Sequence, residues 1–165
     1  MREKIIEESI QSLHREGLRF SVDTLAERLH VSKKTIYKYF PTKEALALAM
    51  YERYYEKLQE AVETILREPE DGGDRLLLCY FDSAIMVRGE IFNKYALNRA
   101  VGSFARKKHG EIWQKIRPRL CFAMEEEEAQ TYGLIVDGAF DRAIGQGMDP
   151  GRVVQMLRRM EEPKG

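Results

Sequence analysis

The sequence predicts an all-α protein of about nine helices. Apolar residues recur three and four positions apart through most of the 165 residues, which is the period of an amphipathic helix. No stretch longer than four residues alternates between apolar and polar side chains, as a half-buried strand would. Several periodic segments are preceded by Ser, Thr or Asp and followed by Gly or Pro, which are the residues that begin and end helices.

Four helices are predicted in the first 67 residues, covering 2–16, 22–29, 33–40 and 43–67. A Ser or Thr stands directly before three of them, where its side chain can accept a hydrogen bond from a backbone N–H: Ser21, Ser32 and Thr42. Gly17 and Pro41 mark the ends of the first and third helices, because neither residue favours a continuing helix. Pro69 and the glycines at 72 and 73 end the fourth.

The helices after residue 73, four or five in number, have less distinct ends. The sequence DRLLLCYFDSAIMVR, residues 74–88, predicts one helix that ends near Gly89. Residues 90–99 predict a shorter one that stops before Gly102.

Three more helices are predicted in the last part of the chain. A helix passes through Ile112 and Ile116 to Pro118, which either kinks it or starts its successor. The next begins at Arg119 or Glu125 and ends at Gly145. A final helix covers 150–160, where Asp149 and Pro150 suit the cap and the first helical position.

Composition excludes several classes of protein. With 44% hydrophobic and 33% charged residues, the chain can bury a core, so wholesale disorder is not expected. The first ten residues, MREKIIEESI, are too charged for a signal peptide, and the longest uncharged run, 129–136, is far shorter than a membrane span. We therefore expect a cytoplasmic protein with no membrane partner.

The sequence also lacks the motifs of common catalytic and metal sites. It contains no GxSxG, P-loop, HExxH or GxGxxG pattern, so we expect no enzyme activity and no cofactor. The three histidines have no ligand spacing, so no metal site is predicted. Cys79 and Cys121 are 42 positions apart and are interpreted as small buried hydrophobes of a reduced compartment.

Charge is balanced over the whole chain, with 27 basic and 27 acidic residues, but it is unevenly distributed. Residues 1–46 hold nine Lys/Arg against seven Asp/Glu, a net +2, and the rest of the chain carries −2. Residues 29–41 contain three lysines and no acid, and a fourth lysine, Lys43, follows. This local excess is the clearest functional signal in the sequence.

The second and third predicted helices, joined by a tight turn, describe a helix-turn-helix. The first turn of such a second helix points toward base edges in the major groove, and here it carries Lys33, Lys34 and Thr35. Lys38 lies on the same face, and Tyr37 and Tyr39 are suited to phosphate contacts. The alternative is a lysine-rich face that is merely solvated.

The segment FSVDTLAERLHVSKKTIYKYFPTKEAL resembles the DNA-binding region of the TetR family of bacterial transcriptional regulators. The likeness lies in Leu25-Ala26, in the turn His30-Val31-Ser32, in the run from Thr35 to Phe40, and in Lys43-Glu44-Ala45-Leu46. It covers residues 2–50. The turn departs from the family in having His30 where Gly is usual, and we expect this residue at positive φ.

The resemblance implies a division of roles among these residues. Base contacts fall to Lys33, Lys34, Thr35 and Lys38, and phosphate contacts to Ser21, Tyr37, Tyr39 and Lys43. The apolar positions are structural: Leu25, Ala26, Val31, Ile36, Phe40 and Leu46. The resemblance also implies a DNA-binding domain at residues 1–46 and a regulatory and dimerisation domain at 47–165.

The C-terminal part is then expected to form a homodimer and to bind a small-molecule inducer. Apolar stripes on the last two helices are the predicted dimer contacts: Tyr132, Val136, Ala139, Ala143, Val153, Met156, Leu157 and Met160. Aromatic and Met side chains are the candidate pocket lining: Tyr80, Phe81, Met86, Phe92, Tyr95, Phe104, Trp113, Phe122 and Met124. For both sets the alternative is packing inside one protomer.

The function that these inferences favour is a dimeric repressor, released from a palindromic double-stranded DNA operator by a ligand. The sequence does not separate a repressor from an activator. The competing hypothesis is a dimeric sensor or protein-interaction module that binds DNA weakly or not at all, because a head with a net charge of only +2 neutralises few phosphates.

Overall fold

Helices make up nearly all of the described structure, a computed structural model that covers residues 1–16, 21–69, 72–87 and 95–161. These ranges contain eight helices of seven residues or more and one single-turn helix, with no strand. Their bounds are α1 Arg2–Glu16, α2 Val22–Arg28, α3 Lys33–Tyr39, α4 Lys43–Arg67, α5 Gly73–Asp82, α6 Ala84–Val87, α7 Tyr95–Leu120, α8 Glu126–Gln146 and α9 Pro150–Glu161. The all-α prediction is confirmed.

The predicted N-caps of α2, α3 and α4 form as expected. The side-chain oxygen of Ser21 accepts a hydrogen bond from the backbone N–H three residues later, and Ser32 and Thr42 do the same, each at 3.1 Å. Near the C-terminus, a carboxylate oxygen of Asp149 likewise accepts from the N–H of Arg152 at 2.9 Å. Each cap satisfies a backbone donor that the helix leaves open, which fixes where the helix begins.

The middle of the chain differs from the prediction in two places. The helix expected over 74–88 is divided at Ser83. Its hydroxyl donates to the backbone oxygen of Tyr80 at 2.7 Å, and its N–H donates to the backbone oxygen of Phe81. The break expected at Gly102 is absent: α7 runs through this buried glycine and continues past Pro118 to its end. Of the helix predicted at 90–99, residues 90–94 lie outside the described residues and 95–99 form the start of α7.

Helix α4 packs against both the front helices and the C-terminal bundle. Its N-terminal half contacts α1, and its buried face also meets α5 and α7. Two tyrosines of α4 are tied to the bundle by their hydroxyls: Tyr51 donates to the backbone oxygen of Met86 at 3.0 Å, and Tyr54 donates to Asp82 at 3.1 Å. A single 25-residue helix therefore joins the front of the molecule to the rest.

An aromatic cluster fills the centre of the bundle, where α5, α7 and α8 meet. The imidazole of His109 is stacked between Tyr80 and Phe140, with ring centroids 3.9 and 3.7 Å apart, and Trp113 lies against Tyr80 at 5.3 Å. The His109 Nδ1 atom is 2.9 Å from the hydroxyl of Ser83. Rings in direct contact leave no room between them for another molecule.

Candidate nucleic-acid interface

The turn between α2 and α3 sets the direction in which α3 leaves the core. His30 has a φ of 53°, in the left-handed region, as its position in the turn predicts. Its N–H donates to the backbone oxygen of Glu27, and the N–H of Val31 donates to that of Ala26, both at 3.0 Å. This pair of hydrogen bonds is a Schellman motif, which closes α2 and reverses the chain within two residues.

One face of α3 is fixed in the core of the front helices. Ile36 is fully buried and Phe40, at the C-cap, is nearly so. They pack with Leu25 and Ala26 of α2, while Val31 is partly buried at the edge of the same cluster. These residues are structural, as the resemblance implied, and they leave the opposite face of α3 open to solvent.

The open face of α3 carries the predicted DNA-contacting side chains. Tyr37 and Tyr39 are 41% and 39% exposed, and Lys34 and Lys38 are exposed beside them. A shallow groove of about 550 Å³ is formed along this face by Ser32, Lys34, Thr35, Tyr37, Lys38 and Tyr39. Neither Lys34 nor Lys38 forms an ion pair with any residue in the described ranges, so both ammonium groups are available to an external anion.

Lys33 is different, because it is paired with an acid from the preceding helix. Its ammonium group forms an ion pair and a hydrogen bond with Asp23, in the first turn of α2. The hydrogen bond to Asp23 raises the pKa of Lys33. The expectation of a basic face with no compensating acid is therefore wrong at this lysine, since the acid comes from ten positions earlier in the chain.

The remaining predicted DNA contacts, Ser21, Thr35 and Lys43, are less exposed than the lysines and tyrosines of α3. Ser21 and Thr35 are half-buried; Ser21 also contacts the hydroxyl of Thr24 at 2.9 Å, and Thr35 contacts that of Ser32 at 3.0 Å. Lys43 is half-buried in the first turn of α4. Each pair of hydroxyls uses one proton for its shared hydrogen bond, so the other proton of the pair is left for donation to a phosphate.

Helix α1 supplies residues that the sequence did not single out. The guanidinium of Arg2 lies over the ring of Phe40, 5.2 Å from its centroid, which places this cation beside the end of α3. Farther along α1, Glu7 accepts from Arg53 Nε at 3.3 Å and also from Lys57. These bonds, with Lys57 the larger cause, lower the pKa of Glu7. The pairing partners are 46 and 50 positions apart, so no local pattern reveals them.

The predicted dimer stripe lies mostly inside the protomer. Five of its members are buried, Tyr132, Val136, Ala143, Val153 and Leu157, and Ala139 is partly buried. Met156 is 52% exposed, and the side chain of Met160 lies outside the described residues. The exposed apolar surface of α8 is formed instead by Leu134, at 74% exposure, and by Ile135. As dimer contacts, these residues remain predictions.

The candidate pocket residues are dispersed. Tyr80, Phe81 and Met86 are buried in the core, Phe104, Trp113 and Met124 are partly buried, and Phe122 is 88% exposed in the turn after α7. Phe92 and the side chain of Tyr95 lie outside the described residues. Phe122 and Met124 instead help to line an open cleft of about 490 Å³ between α5, the α7–α8 turn and α9, together with Leu77, Leu120, Tyr132, Arg119 and Arg158.

Within the described residues, no group of three or more His, Cys, Asp or Glu side chains is placed to hold a metal ion. No helix in this part of the chain combines the length and the hydropathy that crossing a bilayer requires. Both cysteines are free and half-buried, and burial raises the pKa of each thiol.

Comparison with known proteins places the front of the chain in a family. Residues 5–50 match the model of "Bacterial regulatory proteins, tetR family". A stretch of 51 residues is 39% identical to the HTH-type transcriptional regulator EthR of two Mycobacterium tuberculosis strains and of Mycobacterium bovis. That stretch is 31% of this chain and 24% of the relatives' length. No solved structure is significantly similar. The predicted resemblance is confirmed over these residues, where the chain is similar to the tetR family.

Proposed function

We propose, from the tetR-family segment at residues 5–50, that this chain is a DNA-binding transcriptional regulator that inserts α3 into the major groove. The observation that carries the proposal is the two-sided character of α3. Its Ile36 side is fixed in the core, and its other side offers Lys34 and Lys38 without an acidic partner in the described ranges. A helix so held can present cations to a duplex without rearranging.

Within that interface, the side chains have separate roles. Lys34 and Lys38 are long enough to reach guanine O6 and N7, so they select sequence. Tyr37 and Tyr39 stand at the sides of α3, where a phenolic hydroxyl donates to phosphate, and the Ser21 and Lys43 contacts flank them. Phosphate contacts position the helix and base contacts specify the site.

A single α3 makes few contacts, so we propose that two copies bind a palindromic operator as a homodimer. The surface that supports this is the exposed apolar face of α8, formed by Leu134 and Ile135; Met156 of α9 is exposed as well. In this scheme residues 1–46 read DNA, and residues 47–165 dimerise and sense. Side chains of this size are costly to leave in water unless a partner covers them.

We also propose that a small molecule releases the repressor from its operator. The cleft of about 490 Å³ beside α9 has the volume of ordinary ligand sites, and its lining combines apolar side chains with Arg119 and Arg158. The filled aromatic cluster around His109 is less suited, because its rings already contact one another. The cleft therefore replaces the centre of the bundle as the preferred position for an inducer.

DNA binding is tested first by selecting duplexes from a random pool and then titrating the enriched sequence with salt. The affinity should fall steeply, with a slope near −0.9 per phosphate contact. Lys38→Ala should change the preferred sequence, whereas Tyr37→Phe should weaken all duplexes alike. Lys107→Ala, an exposed cation on α7, is the matched control and should change neither. A protein that enriches no duplex at low salt is instead an interaction module.

A further inference from the structure

The ion pair between Asp23 and Lys33 joins the first turn of α2 to the first turn of α3. Both side chains are more than half exposed, so neither is buried for the stability of the core. Lys33 is nevertheless the lysine nearest the N-terminus of α3, the end that points toward base edges in a helix-turn-helix. Asp23 therefore neutralises a lysine at the end of α3 where a DNA-binding surface is expected to be positively charged.

The three lysines of α3 are thereby made unequal. Lys34 and Lys38 have no acidic partner in the described ranges, while the ammonium group of Lys33 is held on the side that faces α2. Glu7 and Glu8 of α1 are engaged elsewhere, with Arg53 and Lys57 of α4 and with Arg15, whereas Glu27, the other acid of α2, forms no ion pair with the described residues. Asp23 is thus a specific partner of Lys33 rather than part of a general acidic field.

We propose that Asp23 is a positioning residue that withholds Lys33 from DNA phosphates, so that the proposed regulator binds through Lys34 and Lys38. The sequence-independent part of DNA affinity depends on how many cations neutralise phosphates. A lysine already neutralised within the protein releases no counterion when it meets DNA, so it adds little to that part. This inference rests on the proposed DNA-binding function and assigns Lys33 a different role from the base contact that the sequence predicted.

The test compares four proteins on one duplex over a range of salt: the wild-type chain, Asp23→Asn, Lys33→Ala and the double variant. Lys33→Ala should leave the salt slope of the wild type nearly unchanged. Asp23→Asn should steepen it by about 0.9 per bound protomer, which corresponds to an affinity gain of about eightfold at 0.1 M salt relative to 1 M. The double variant should return to the wild-type slope.

Glu27→Gln is the matched control, because it removes the same charge from an exposed position on α2. If Asp23→Asn and Glu27→Gln behave alike, the inference is wrong and the general charge of the head sets the affinity. If the gain from Asp23→Asn persists in the double variant, Asp23 repels phosphate directly, and the inference is again wrong. Absence of DNA binding in the wild type and in every variant would remove the proposed function itself, a result that none of the other outcomes resembles.

Discussion

The turn that directs α3 is strained at one residue, and removing the strain should stabilise the protein. His30 has a φ of 53°, where a side chain's Cβ is close to the neighbouring carbonyl oxygen. For an L residue this conformation costs about 1–2 kcal/mol, which glycine avoids. Glycine also gives the unfolded chain more freedom, which offsets about 0.4–1 kcal/mol. His30→Gly should therefore gain about 0.5–1 kcal/mol in the free energy of unfolding.

His30→Ala is the matched control, because both variants lack the imidazole and only alanine keeps the Cβ. The imidazole is exposed and forms no hydrogen bond or ion pair with the described residues, so the difference between the two variants isolates the backbone strain. Thermal unfolding at a fixed protein concentration should show the glycine variant melting about 2–4 °C above the alanine variant for a difference near 1 kcal/mol.

The same experiment tests the Schellman motif as the device that aims α3. Glycine keeps the N–H groups of residues 30 and 31 bonded to Glu27 and Ala26, so DNA affinity should stay within about twofold of the wild type. A glycine variant no more stable than the alanine variant would show that the left-handed residue is not strained. A glycine variant that gains stability but loses DNA binding would show that His30 contacts DNA itself.

Three further variants test the cap, the aromatic cluster and the dimer. Ser32→Ala should cost about 1 kcal/mol and weaken DNA binding, because it removes the side-chain acceptor that caps the N–H of Thr35. Ser103→Ala, at an exposed position of α7, should cost little, and denaturant titration and DNA binding measure both. Burial, with Arg106 nearby, lowers the pKa of His109 to about 3. The free energy of unfolding should therefore fall as the pH drops below 6.5, by about 2 kcal/mol at pH 5. His109→Gln should flatten this dependence in denaturant titrations at pH 5 and pH 7. Leu134→Glu should give monomers in analytical ultracentrifugation, whereas Leu78→Glu, which changes another exposed leucine, should leave the dimer intact. If both variants remain dimers, the interface lies elsewhere.

Local signals in the sequence were sufficient for the front of the molecule. Ser21, Ser32 and Thr42 identify their helices because a cap is formed by residues only three positions apart. Positive φ at His30 could be predicted because the family resemblance places this residue where Gly is usual. The buried side of α3 likewise follows from the spacing of Ile36 and Phe40.

Features that depend on distant partners could not be predicted in this way. The Asp23–Lys33 pair requires the angle between α2 and α3, which the sequence spacing does not contain. The break at Ser83 depends on a hydroxyl that bonds back to Tyr80, and a Ser in that position is also common inside helices.

The apolar stripes of α8 and α9 show a further limit of periodicity. A stripe marks a buried face, but it does not say whether the protein's own core or a second copy covers it. Val136 and Val153 belong to the core, whereas Leu134 is left exposed on the same helix as Val136. The surface best suited to a partner was therefore found from burial rather than from spacing.

The contacts of α4 determine how the two ends of the molecule can influence each other. Arg53 and Lys57 hold Glu7 of α1, and on the same helix Tyr54 holds Asp82 of α5. This hydrogen bond joins the buried Tyr54 to the exposed Asp82, and breaking it would cost stability, so α4 and α5 should move together rather than separate. A ligand that displaced α5 from its side of the cleft would then shift α4, and with it α1, against which α2 is packed. In the proposed regulator, communication between ligand and DNA therefore requires no route other than this helix.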